Sequence, residues 1–166
     1  MSAEELFYAT CRDLAPGEVV RAVARKISQE QDVCEDKLAS HSSTVANDRR
    51  NCLFTSNDAL FAATYLMAEN RPDCERKLYK VTMPSASRHP MALVSLVCHE
   101  TTTACAARLA TEYWSPSLAW RCWEFIGQEF TVIEEAIWPP LHELAGARYR
   151  YLMDREAGRR HCTNSN

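Results

Sequence analysis

The chain has 166 residues, 46% of them hydrophobic, with a formal net charge of −3 and a pI near 6.0. That length suits a single domain over residues 1–166 with its own core, and the near-balanced charge offers no overall attraction to nucleic acid or an anionic membrane. The longest apolar runs, around Leu93–Cys98 and Ala104–Ala107, fall well short of a membrane span.

In chain order, Leu6-Phe7-Tyr8-Ala9 reads as a strand closed by the turn pair Pro16-Gly17. Residues from Val19 to Leu38 are charged and helix-compatible, and the polar stretch Ser40–Arg50 reads as a mobile loop. Cys52–Thr55 is a second predicted strand. Ser56 or Asn57 then caps a helix to about Glu69, with Leu60, Phe61, Thr64, Tyr65, Met67 and Ala68 along one face. Leu78–Thr82 alternates as a strand should, and the apolar run Ala92–Cys98 reads as another. Thr101–Tyr113 looks helical. Ser115-Pro116 is a helix-start signal, predicting a helix to Ile126 that Gly127 ends. Phe130–Glu134 reads as a strand, and Pro139 opens a final helix reaching Arg159, with a frayed tail from Gly158. This order predicts an α+β domain rather than a regular βαβ series.

The eight cysteines show no CxxC pair, and the opening Met1-Ser2-Ala3-Glu4-Glu5 lacks the basic and apolar regions of a secretory signal. They are therefore read as reduced, mostly buried thiols of a cytoplasmic protein, or of one delivered into a host or target cell cytosol. The nearest metal-like grouping, Cys98-His99-Glu100 with Cys105, has neighbouring side chains that point apart, so no metal is expected. With Gly17, Gly127, Gly146 and Gly158 as the only glycines, a dinucleotide-binding Gly-rich loop or a P-loop is excluded, and no GxSxG elbow occurs. The tryptophans Trp114, Trp120, Trp123 and Trp138 lack the basic surroundings of a nucleic-acid stacking platform and read as packing anchors.

Three blocks in order, FYATCRDLAPGEVV, NCLFTSNDALFAATYLMAEN with LYKVTMP, and EYWSPSLAWRCWEFIGQEFTVIEE, resemble the ADP-ribosyltransferase superfamily, in particular its diphtheria-toxin-like and rifampicin-transferase-like branches. The resemblance implies a split, mainly antiparallel two-sheet core with flanking helices and a C-terminal helix, with NAD as co-substrate. It implies a small bacterial effector or toxin-type mono-ADP-ribosyltransferase acting on a protein, with no nucleic-acid or membrane partner. In that scheme Tyr8 departs from the family's first-motif His or Arg and meets the adenosine ribose. Ala9 offers main-chain groups to the carboxamide, Thr10 holds the strand, and Tyr65 stacks on nicotinamide beside Thr55 and Ser56. Glu129, or its rival Glu124 between Trp123 and Phe125, is the acid that favours the oxocarbenium-like ribose. Arg12, Arg21, Arg49 and Arg50 are the nearest cations for the phosphates, and Glu134 and Glu135 are ordinary surface charge. Two alternatives stand beside it: a non-catalytic interaction module with a degenerate fold, and a cysteine-dependent hydrolase using histidines such as His41, His89, His99 or His142.

Overall fold

Short-range chemistry explains the first elements. In the computed structural model, which describes residues 4–42, 48–68 and 74–163, the aromatic and β-branched segment Leu6–Thr10 forms β1. The chain then reverses at Ala15–Glu18, where the Glu18 amide donates to the Ala15 carbonyl at 3.0 Å with proline second and Gly17 third at φ +83°. That is a type II turn, whose third position glycine alone fills without strain. It delivers β2, Val19–Arg21.

The fold is α+β, and it divides into two compact units. The first takes the chain through Ala22, Leu53–Arg88 and Glu124–Arg148. Besides β1 and β2 it contains β3 (Leu53–Thr55), α2 (Ala59–Ala68), β4 (Lys77–Thr82), most of β6 (Trp123–Gly127) and β7 (Glu129–Ala136). A four-stranded sheet runs β1-β4-β7-β2 with antiparallel neighbours throughout. A three-stranded sheet runs β3-β6-β5, where β5 is Ser87–Pro90. Leu6, Leu78, Val81, Phe130 and Val132 from the larger sheet and Phe61 and Ala63 from α2 are buried in this unit. Gly127 lets β6 pass tightly by Met83, since a Cβ there would lie 2.6 Å from the Met83 sulfur.

The second unit, Val23–Cys52, His89–Trp123 and Tyr149 onward, is helical. It holds α1 (Gln29–Ala39), a 3-10 turn at Arg49–Asn51, α3 (Met91–His99), α4 (Thr103–Trp114) and most of α5 (Leu144–Thr163). Its core joins Cys34 and Leu38 of α1, Leu93, Leu96 and Val97 of α3, and Leu109, Ala110 and Tyr113 of α4 with Trp120; Trp114 and Trp123 pack against them. Ser28 and Gln31 close a capping box on α1, each side chain accepting from the other's amide. Among the described residues no helix is long and apolar enough to cross a membrane.

Several sequence expectations are corrected. Ala92–Cys98 lies in helix α3, not a strand, because a short apolar run buried on all sides carries no period that separates the two. The expected Val19–Leu38 helix divides into β2, irregular chain and α1. The helix expected from Ser115 does not form. Instead, both Glu112 carboxylate oxygens capture the Ser117 amide and hydroxyl (2.7 Å each), the Leu118 amide and the Trp120 ring N–H (2.9 Å each). Asp154 takes the Arg121 and Cys122 amides at 2.9 Å, so side chains satisfy donors that a helix would have used, and β6 follows. The tail is helical through Thr163 rather than frayed from Gly158. Glu69, the expected end of α2, and residues 43–47 of the expected loop lie outside the described residues.

The reduced-thiol reading is also corrected. Cys11 pairs with Cys74, Cys34 with Cys98, and Cys105 with Cys162, the first within one unit and the other two within the helical one. Spacing alone did not reveal them, because each closes a loop of 57 to 64 residues. The metal-like grouping dissolves with them, since Cys98 and Cys105 each bond to another cysteine.

Candidate active site

Tyr8, Ala9, Thr10, Arg12, Arg21, Ser56, Tyr65, Glu124 and Glu129 belong to the first unit, whereas Arg49 and Arg50 belong to the second. Strand β1 pairs with β4 on one edge, with Tyr8 opposite Tyr79, Ala9 opposite Leu78 and Thr10 opposite Lys77. On its other edge it meets the end of β3: the Phe7 amide donates to the Ser56 carbonyl at 2.7 Å, and the Ser56 amide returns to the Phe7 carbonyl at 3.1 Å. Ser56 is fully buried, and its hydroxyl accepts from the Asp58 amide at 3.2 Å, shaping the turn into α2. Asp58 then caps that helix by accepting from the Leu60 amide at 2.8 Å.

Helix α2 carries Tyr65 toward β6. Its hydroxyl donates to Oε2 of Glu124, a carboxylate with 1% exposure. Strand β6 is antiparallel to β3 with Leu53 opposite Gly127, Phe54 opposite Ile126 and Thr55 opposite Phe125. The next positions along these strands are Ser56 and Glu124. The Thr55 hydroxyl closes the pair by donating to the Phe125 carbonyl at 3.4 Å. A buried carboxylate is costly without donors, and a phenol-to-carboxylate bond is among the stronger ones available to it.

The remaining candidates have other company. Glu129 opens β7 opposite Arg21 and accepts from its Nε at 3.2 Å in a largely solvated ion pair, an arrangement worth about 0–1 kcal/mol. Tyr8 packs its ring against Phe130 with centroids 4.7 Å apart, which is the packing role of a strand aromatic. Thr10 is buried, and its hydroxyl accepts from the Arg12 amide at 3.2 Å, turning the chain after β1. Arg12 is exposed, 3.8 Å from the Glu18 carboxylate. Lys77 ion-pairs with Asp13, which raises the Lys77 pKa, chiefly through that hydrogen bond. Tyr79 steadies the same connection, its hydroxyl accepting from the Leu14 amide at 3.1 Å. The Cys11–Cys74 disulfide anchors the end of β1 to the segment that enters β4.

Two of the suggested phosphate cations are committed elsewhere. Arg49 is buried in the helical unit, donating from Nε to Glu35 at 3.0 Å and from Nη1 to the Tyr113 hydroxyl. Arg25 joins the same Glu35 at 3.4 Å, and His89 stacks on Tyr113 with centroids 4.7 Å apart. Arg50 bonds Asp32, Asp36 and Asp48 and so ties α1 to the 3-10 turn. This buried polar network was missed from the sequence because its bonded partners lie up to 64 residues apart.

The disulfides also bear on a thiol nucleophile. Only Cys52 and Cys122 stay outside them, both buried, and burial pushes the Cys52 thiol up, away from the reactive thiolate. Neither the models of known protein families nor the curated proteins match this chain.

Proposed function

We propose that this protein is a mono-ADP-ribosyltransferase that cleaves NAD at the nicotinamide glycosidic bond and passes ADP-ribose to a protein side chain. The observation that carries the reading is the meeting of Tyr65 with the buried Glu124 on β6, beside β3, whose end is bridged to β1. The resemblance asks for those parts: a first strand with main-chain groups to offer, a tyrosine on the helix after the second, and an acid on a late strand. The split into two sheets agrees with it as well.

In the reaction the bond from ribose C1′ to the nicotinamide nitrogen breaks, and its electron pair leaves with neutral nicotinamide. The acceptor's nucleophilic atom bonds to C1′ and gives its proton to solvent. A carboxylate at the ribose offsets the charge that develops on the sugar between these events. Glu124 is our choice for that group, because Glu129 already serves an outer ion pair with Arg21.

Pairing six cysteines removes the ground for a reducing cytosol. We place the protein in an oxidising compartment, where such bonds persist. The 1% exposure of Glu124 favours one second reading, an interaction module that keeps the fold without turnover. One experiment separates them: incubation with isotopically labelled NAD and candidate protein acceptors, following nicotinamide release and label transfer. The transferase reading expects both from the wild type, loss in Glu124→Gln and retention in Glu129→Gln. No release together with no NAD-induced thermal shift overturns it.

A further inference from the structure

We propose that Tyr65 is a positioning residue that acts through Glu124, rather than a platform for the nicotinamide ring. The inference rests on the transferase reading and deepens it. A stacking role uses the aromatic face, whereas the structure commits the other end of the side chain, the hydroxyl, to Glu124 Oε2. The two residues are 59 positions apart and come from different kinds of element, a helix and a strand, so no local geometry forces them together.

The physical need is clear from the surroundings. Glu124 sits in a strand whose residues from Glu124 to Gly127 are all buried, so its orientation draws on protein donors such as the Tyr65 hydroxyl. A carboxylate able to rotate about its last side-chain torsion spreads its charge over several directions. One oxygen held by a phenol is confined to a narrow range, and electrostatic help to a developing cation depends on such fixed placement. Tyr65 is itself held, because α2 is capped by Asp58 and carries the buried Phe61, Ala62, Ala63 and Leu66. The rigidity of the helix is thus passed to the acid through the Tyr65–Glu124 hydrogen bond.

The two roles predict opposite kinetics. Tyr65→Phe keeps the ring and removes only the hydroxyl. As a positioning residue it loses kcat by roughly 10- to 100-fold with KM for NAD unchanged, the scale expected when a catalytic group is slightly misplaced. As a stacking residue it keeps kcat. A double-mutant cycle gives the decisive check: in a Glu124→Gln background, Tyr65→Phe causes no further loss of residual nicotinamide release. Thermal unfolding of each variant, read without NAD, shows whether the fold is intact. Wild-type kcat in Tyr65→Phe, a raised KM with unchanged kcat, or additive losses in the cycle would overturn the proposal while leaving the transferase reading standing. A wild type that releases no nicotinamide removes both.

Discussion

Breaking the Cys34–Cys98 bond tests how much the helical unit depends on its crosslinks. The bond ties α1 to α3 across a sequence separation of 64, and both helices contribute to one buried cluster. In the chain-entropy account, a loop of that size restricts the unfolded state by about 4 kcal/mol at 25 °C. For a chain of this length, that corresponds to a fall in Tm of roughly 8–16 °C. The perturbation is the double variant Cys34→Ala/Cys98→Ala, which leaves no stray thiol and adds no buried hydroxyl to a site where Cys34 is 7% exposed. Thermal unfolding by circular dichroism, with and without reductant, is the assay, paired with a thiol count in denaturant. The oxidised wild type should show two reactive thiols, Cys52 and Cys122, and only after unfolding, since both are buried. Reductant should lower the wild-type Tm by more than it lowers the variant's. Eight thiols in protein isolated under oxidising conditions, or equal Tm values for oxidised wild type and variant, would refute the argument and reopen the cytosolic assignment.

Three further outcomes follow from buried polar groups and close packing. Burial alone would raise the Glu112 pKa, but hydrogen bonds from the Ser117 hydroxyl, the Leu118 amide, the Trp120 ring and the Ser117 amide together hold it below the ordinary carboxylate value. A depressed folded-state pKa stabilises above the unfolded value and loses that effect as pH falls through the folded one. Glu112→Gln should therefore cost about 2 kcal/mol at neutral pH, with the gap to wild type in urea unfolding closing below about pH 4. Arg49→Met should cost about 3 kcal/mol by leaving Glu35 with only part of its charge pairing, and adding Glu35→Met should recover some of it, as chemical denaturation would show. A Cβ on Gly158 would lie 2.5 Å from a Leu96 methyl and 3.0 Å from a Leu93 methyl. Gly158→Ala should lower Tm, the overpacking cost of about 1–3 kcal/mol exceeding a helix-propensity gain of about 1 kcal/mol.

Much of the first unit was legible because its signals are local. The strands at Leu6, Leu53, Leu78 and Phe130 carry β-branched and aromatic residues, and Pro16-Gly17 marks its own turn. The start of α1 was equally legible in Ser28-Gln29-Glu30-Gln31, a capping box overlooked because the flanking segment has no apolar period. The helical unit was less legible. Its cluster draws on three helices separated in the chain, its disulfides span 64 and 57 residues, and Ser115-Pro116 gives a true helix-start signal that Glu112 just before it and the distant Asp154 override.

The candidate site shows the same limit at a finer scale. Misreading the loop after Ser115 as helix put Glu124 near a helix end, so that of the two rival acids Glu129 alone was expected on a strand. Once Glu112 and Asp154 hold that loop open, β6 begins at Trp123, and its antiparallel register with β3 puts Glu124 one step before Phe125 where Ser56 comes one step after Thr55. An acid at that point of a buried strand needs a donor from outside its own strand. The sequence named both Tyr65 and Glu124 as candidates yet gave the tyrosine its ring as the working part. Their contact shows which end of the phenol faces the acid, a placement the sequence does not carry, because a phenol's two ends suit it equally to stacking and to hydrogen bonding.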